Sequence, residues 1–315
     1  MIKHRDDQAL AVRSLRSAAP YIRMYKGKTF VIKAGGAVFG DAQATRALIE
    51  QIAILHYFGV RVVFVHGGGP QLTELTEALG VPTRMVQGRR VTDQKSIDVT
   101  AMVLNGLINT RVLGICRELN IDAVGVSGVD AGLITAHKRP AVRMSDGETV
   151  DFGFVGDIDA VDTTVLRKLL DNGLMPVVSP LSADVNGTLL NINADTVASA
   201  LGAALNAEKL ILCTGAPGIL ESVADPGSVV SYTDLQGLKR LRDSGAITDG
   251  MLPKAKAIED AIRGGVRRVH VISYKAPEGL LAEVFTNEGT GTLVVADVHA
   301  LAPAELSAAQ QAPSA

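Results

Sequence analysis

From Thr29 onward the chain alternates unbroken apolar runs with segments in which apolar positions recur every three or four residues. Residues 29–33, Thr-Phe-Val-Ile-Lys, keep their interior apolar, which predicts a strand buried on both faces that ends in Gly35-Gly36. Asp41 is then placed to cap a helix carrying Ala44, Leu48, Ile49, Ile52 and Leu55 on one face. Residues 60–65 predict a second buried strand, running into His66-Gly67-Gly68-Gly69-Pro70 and a helix from about Gln71. A long helix is expected over 96–119 and a strand over 123–126. Such alternation predicts an α/β protein: a mainly parallel central sheet with helices on both faces, a three-layer αβα sandwich.

The middle of the chain has a different rhythm. Asp146-Gly147 sits between β-prone arms at 143–150, a hairpin signal, and 152–158 reads as a strand. A helix over 163–172 and a strand over 175–178 follow, and Asn186-Gly187 marks a second hairpin turn leading into 188–192. Alternation then resumes with a helix from Asp195, a strand over 209–214, helices near Thr233 and Met251, and a strand over 268–272. The turn region at 180–188 is therefore the expected seam between two lobes. Ahead of the first strand, Leu10, Ala11, Leu15, Ala18 and Ala19 fall at helical spacing, predicting an amphipathic helix that ends before Pro20. The expected division is an N-terminal helix within 1–26, one lobe over 27–187, another over 188–299 and a flexible tail over 300–315.

Composition narrows the classes. Of 315 residues 47% are hydrophobic and 20% charged, which excludes a disordered chain. A formal net charge of -2 supplies no basic field, so neither nucleic acid nor an anionic membrane is an expected partner. Cys116 and Cys213 lie far apart in apolar segments and read as reduced core thiols of a cytoplasmic protein. No uninterrupted apolar run approaches the roughly 18 residues of a membrane span, and the first 28 residues contain no signal-peptide core.

Candidate chemistry gathers where strands end. Three glycine-rich turns follow strands: Gly35-Gly36, Gly67-Gly68-Gly69 and Thr214-Gly215-Ala216-Pro217-Gly218. Glycines there let backbone N–H groups approach an anion. Neither GxxxxGK[ST] nor GxGxxG occurs, so phosphate would be handled by other apparatus. Lys33 ends an apolar strand, Lys254 lies one turn into a helix, and Asp195 opens another, where it reads either as an N-cap or as a functional carboxylate. Two lysines and an aspartate converging on a glycine-lined cleft suit phosphoryl transfer. His66 is expected to be structural, and the histidines show no metal spacing.

VIKAGG, VHGGGPQ, GRRVTD, NINAD and ITDGMLPKAKA, in that order, resemble the amino-acid kinase superfamily and within it the N-acetylglutamate kinase family of arginine biosynthesis. The resemblance covers about residues 20–296. Residues 19–23 and 285–292 resemble the arginine-inhibited branch with a long N-terminal helix. What the resemblance implies is specific. Lys33 and Lys254 stabilise the transferring phosphoryl group, with Asp195 orienting both. Gly36, Gly68 and Gly69 donate N–H groups to it and to the substrate. Arg90 pairs with a substrate carboxylate and Asn191 holds N-acetyl-L-glutamate. Thr214, Gly215, Ala216 and Gly218, with Ala246, Ile247 and Thr248, hold ATP, and Mg2+ arrives with the nucleotide and needs no metal site of the protein. Tyr21, Glu288 and Gly289 belong to a site for an arginine effector. The implied assembly is a homo-oligomer, a dimer core extended to a hexamer through the N-terminal helix. Several positions depart from the family pattern: Ala34 replaces the usual bulky residue, and Ala37-Val38-Phe39 replaces a more polar stretch after the glycines. Gly215 stands where Asp is usual, and Ser273-Tyr274-Lys275-Ala276-Pro277-Glu278 replaces a stretch containing Asp-Gly-Arg. Two other functions are compatible with the residues: a kinase for a different small acid, and a regulatory paralogue without turnover.

Overall fold

Six of the apolar runs lie side by side as the parallel part of an eight-stranded sheet in the computed structural model, which describes residues 2–86, 89–144, 147–248, 250–286 and 289–298. The strands of this sheet, numbered along the chain, are β1 (Thr29–Ala34), β2 (Arg61–His66), β3 (Ala123–Ser127), β4 (Met175–Ser179), β5 (Lys209–Thr214), β6 (Tyr232–Asp234), β7 (Arg268–Ser273) and β8 (Thr292–Val295). Their order is β6-β8-β7-β5-β1-β2-β4-β3. β8 runs antiparallel to β7, and β6 pairs parallel with β8, so only that edge is reversed.

Nine helices are described: α1 (Ile2–Tyr25), α2 (Ala42–Tyr57), α3 (Gly69–Ala78), α4 (Gln94–Glu118), α5 (Thr164–Asp171), α6 (Ala194–Ala204), α7 (Leu235–Asp243), α8 (Leu252–Arg263) and α9 (Gly279–Phe285). The period of two along β1 sorts its side chains between two helical layers. Phe30, Ile32 and Ala34 join one apolar core with Ile49 and Ile52 of α2, Val103 and Ile108 of α4, and Leu280 of α9. Val31 joins the other, with Val197 and Leu201 of α6 and Ile258 of α8. The expected three-layer sandwich is therefore present. The same parity sends Lys33 to the side of α6 and α8, where its partners lie.

Local chemistry sets the boundaries. Asp41 caps α2 as expected, its carboxylate accepting from the N–H groups of Gln43 and Ala44 at 2.8 and 3.0 Å. The turn at Asn186-Gly187 joins Leu181–Ala183 to Leu189–Asn191, with Gly187 at φ +85°. These two strands belong to a second, four-stranded sheet with Ile134–Lys138 and Gly156–Val161. The earlier hairpin also forms, Val142–Arg143 against Thr149–Val150, and the Ser145-Asp146 tip lies outside the described residues.

Three expectations need correction. The strand expected from Phe152 begins at Gly156, because Asp151 closes a turn by accepting from Gly153 N–H at 2.8 Å. Gly153 sits at φ +70°, and a Cβ there would lie 2.1 Å from the Thr92 carbonyl oxygen. The long helix is continuous but winds as a π-helix over Met102–Asn109, ending at Asn109, whose amide donates to the Val177 carbonyl at 2.9 Å. This α4 is long and apolar enough to cross a membrane, yet Val103, Leu104, Ile108, Val112 and Cys116 bury it against the sheet. Finally, α1 does not stop before Pro20 but continues to Tyr25. Proline removes one helical donor. Burial of Tyr25, edge-on to Phe30 at 5.2 Å between ring centroids, offsets that loss. Its last turns thus lie on the domain, whereas Val12 and Leu15 remain more than half exposed.

Candidate active site

β5, β1 and β2 are neighbours, and Ala34 sits in register with both Cys213 and His66. The three glycine turns therefore emerge side by side from one edge of the sheet. The first two touch: a Cβ on Gly36 would lie 2.7 Å from Pro70 Cδ and 2.8 Å from the Gly69 nitrogen, so only glycine fits. A Cβ on Gly68 would lie 2.5 Å from Ile108 Cδ1, whereas Gly69 faces open space at the start of α3. Gln71, a residue the sequence reading used only to mark a helix, ties the two turns by donating its amide to the Gly36 carbonyl at 2.9 Å.

Beside these turns lies a buried cluster of three charges. Lys33 Nζ is 2.8 Å from Asp195 Oδ1, and Lys254 Nζ is 3.0 Å from both Asp195 oxygens. The N-cap of α6 is Asn193, whose side-chain oxygen accepts from Asp195 N–H at 2.7 Å. Asp195 is thereby released from the capping role and spends its carboxylate on the lysines. Burial works against its charge, but Lys33 and Lys254 hold it below the usual carboxylate range. Burial and then Lys33 pull Lys254 below an ordinary lysine, and Asp195 opposes them. Two ammonium groups and one carboxylate leave a net positive site, arranged for an anion with more charge to neutralise.

Around this cluster the other expected residues distribute as follows. Arg90, on the hairpin Arg84–Val86 with Arg89–Val91, donates to Thr83 Oγ1 at 3.1 Å and to Thr73 Oγ1 at 2.6 Å. Thr73 in turn donates to the Gly69 carbonyl at 3.1 Å, so Arg90 is tethered one turn beyond the glycine loop. Asn191 ends its strand two residues before the Asn193 cap, its N–H donating to the Phe154 carbonyl at 2.8 Å. Thr214 Oγ1 accepts from Ala216 N–H at 3.1 Å, closing the third loop on itself. Gly218 packs where a Cβ would lie 2.7 Å from Thr292 Oγ1. The Thr248 carbonyl accepts from the N–H groups of Met251 and Leu252, fixing the start of α8 and hence Lys254. Ala246 is partly buried beside it, and Ile247 buries its side chain in the core. His66 is fully buried, faces the Asn109 amide at 3.2 Å, and is pushed down to about 4 by burial, so it is the neutral structural histidine expected.

Residues 28–273 match the amino acid kinase family. Over 287 residues the chain is 48% identical to the acetylglutamate kinase of Myxococcus xanthus, covering 90% of this chain and 93% of that one. It is 43% identical to that of Symbiobacterium thermophilum, covering 92% and 99%. The chain belongs to the amino acid kinase family, among the acetylglutamate kinases. N-acetylglutamate synthase from Neisseria gonorrhoeae complexed with coenzyme A and N-acetyl-glutamate is similar in structure, with TM-score 0.78 and 28% identity over 91% of this chain. This chain spans 64% of the synthase's length. The same synthase with coenzyme A and L-arginine gives TM-score 0.73 and 26% identity, covering 91% of this chain and 65% of that one.

In this kinase Tyr21 lies on α1, which leads into the start of β1, whereas Gly289 precedes β8, whose Thr292 pairs with Val271 in the second half of β7. Tyr21 packs on the apolar core beneath α1, and Gly289 lies where a Cβ would be 3.1 Å from a Glu283 oxygen. Glu288 lies outside the described residues. A buried polar chain that the sequence reading missed runs between them. Lys209 Nζ stands 5.2 Å from the Tyr25 ring centroid and 2.9 Å from His270 Nε2, and His270 Nδ1 lies 2.6 Å from Glu283 Oε1. Burial, with Lys209 beside it, pushes His270 down to about 4. Burial opposes charge on Glu283, but His270 and Thr290 hold its carboxyl down to about 2. The signal available was polar residues at inward positions of β5 and β7.

Proposed function

We propose that this chain transfers the γ-phosphoryl group of ATP to the side-chain carboxylate of N-acetyl-L-glutamate, forming N-acetyl-L-glutamyl 5-phosphate and ADP in arginine biosynthesis. The observation that carries this reading is the Lys33–Asp195–Lys254 cluster at the glycine-lined edge. A carboxylate oxygen attacks the γ-phosphorus as the bond to the β–γ bridging oxygen breaks, and ADP leaves with that electron pair. No general base is required, since the attacking carboxylate is already ionised at neutral pH. The protein's work is positioning and neutralising charge spread over the transferring group. Lys33 and Lys254 do the neutralising, Asp195 holds them in place, and the N–H groups of Gly36, Gly68 and Gly69 add donors. Magnesium enters with ATP, bound mainly by phosphate oxygens and water. Residues 27–187 form the acetylglutamate lobe and 188–299, with the loops at 214–218 and 246–248, the nucleotide lobe.

A hydroxamate assay with ATP and N-acetylglutamate, N-acetylaspartate or glutamate tests this directly. The expected result is strong preference for N-acetylglutamate. Preference for another acid would move the chain to a different substrate, and no turnover on any would favour a regulatory paralogue.

Arg90 gives a sharper test of substrate binding. Arg90→Lys replaces a two-pronged guanidinium with a point charge, so the KM for N-acetylglutamate should rise about tenfold or more with kcat little changed. An unchanged KM with reduced kcat would remove Arg90 from the carboxylate.

Assembly and regulation follow from α1. Its exposed Val12 and Leu15, three residues apart, are neighbours on one side of the helix, and a helix of this length draws its stability from packing. We read it as the joint between dimers in a hexamer. Deleting residues 1–18 should convert hexamers to dimers by light scattering while sparing catalysis. A full-length dimer unaffected by the deletion would contradict this. Arginine is the proposed effector, supported by the synthase relative that holds L-arginine.

A further inference from the structure

Resting on the reading of 214–218 as a nucleotide loop, we infer that Tyr274 is a further residue of the nucleotide site, whose hydroxyl donates a hydrogen bond to the bound nucleoside phosphate across Gly215.

Tyr274 is the first residue beyond β7, and its N–H donates to the Thr214 carbonyl at 2.9 Å, which pins it to the opening residue of the loop. Its side chain then turns toward the next residue. Tyr274 Cε1 and its hydroxyl oxygen lie 3.8 and 3.9 Å from the point a Cβ on Gly215 would occupy, and apart from Gly215 and its two chain neighbours no other described residue comes within 4 Å of that point. Gly215 is exposed. The polar end of the ring therefore stands over bare backbone that a ligand can approach.

The ring is also held. It is partly buried and packs on the apolar core shared by β1, α2 and α9, so its hydroxyl is placed rather than free to swing. That hydroxyl has no hydrogen-bond partner among the described residues and is not buried, so it is open to donate to a ligand. An ordered donor facing an open glycine is suited to bind a ligand at small entropic cost. The order β7-β5-β1-β2 decides which ligand. Tyr274 follows β7 and Thr214 follows β5, on one side of Lys33, whereas Arg90 is tethered to α3 after β2 on the other. The hydroxyl is thus on the nucleotide side of the phosphoryl group and away from the acid.

The test is Tyr274→Phe in the full-length enzyme, which removes one oxygen and keeps the ring. The KM for ATP should rise about three- to tenfold, the loss of one hydrogen bond, with kcat, the KM for N-acetylglutamate and Tm all close to wild type. Calorimetric titration with ADP should show the same weakening without any need for turnover. Unchanged ADP affinity, or equal increases in both KM values, would overturn the role of Tyr274. Wild-type protein that fails to bind ADP would instead overturn the nucleotide reading of the loop. Comparing ATP with 2′- and 3′-deoxy-ATP locates the partner. A ribose partner predicts that one deoxy analogue is affected less by the variant than ATP, and a phosphate partner predicts equal effects on all three.

Discussion

Lys33→Ala or Lys254→Ala should give a folded protein whose kcat is lower by about two to three orders of magnitude or more. The size follows from where the charges act. A preorganised donor aimed at developing charge in a water-poor site typically contributes about a hundred- to a thousandfold, and both ammonium groups are held nearly out of solvent on one carboxylate. Neither is replaceable by the other, because they come from different elements: Lys33 from the end of β1 and Lys254 from the first turn of α8. Folding should survive, since Asp195 keeps one of its two partners in each variant. The KM values should move far less than kcat, because the loss falls on the transition state rather than on the bound ground state. Activity within a few-fold of wild type would remove that lysine from the reaction.

Asp195→Asn should cost both rate and stability. The carboxylate is the only counter-charge that the described residues provide to the two lysines, and it is buried. Neutralising it leaves two ammonium groups facing each other out of water. Breaking a buried ion pair by removing one partner costs about 3–5 kcal/mol, and the lysines relieve their repulsion by moving apart or losing a proton. Turnover should fall by at least about a hundredfold, because misplaced donors lose most of their effect on the transition state. The pH dependence has a definite sign. The folded-state pKa of Asp195 lies below its ordinary value of about 3.9, so its contribution to stability is present above that value and is lost as pH falls through the folded pKa. The Asn variant should lack this acid-side loss. A variant that melted earlier yet kept wild-type kcat would reduce Asp195 to a structural tie.

How much of this was legible beforehand depends on whether the deciding contact is local. Lys33 ends the run Phe30-Val31-Ile32 just before two glycines, so its place at the glycine edge could be anticipated, whereas a run buried on both faces does not say which helices it meets. Asp195 was ambiguous because a carboxylate at a helix start has a good local use as a cap. Asn193, two residues earlier, takes that use in the structure. Gly153 was overlooked as a strand breaker because its close approach is to Thr92, far away in sequence. Pro20 misled in the opposite sense, since the packing of Tyr25 on Phe30 outweighs a lost helical bond. Lys209, His270 and Glu283 come from β5, β7 and α9, and their pairing exists only once the sheet order is known. The same holds for Gly215 and Tyr274, each of which looked like a simple gap in a motif.

The most direct measurement is calorimetric titration of ADP with N-acetylglutamate present, with and without aluminium fluoride, a mimic of the transferring phosphoryl group. If Lys33 and Lys254 act on that group, fluoride and aluminium together should tighten ADP binding to the wild-type enzyme about a hundredfold or more. That gain should vanish in Lys254→Ala, while ADP alone binds both proteins similarly. An equal gain in the variant, or none in the wild type, would contradict the account.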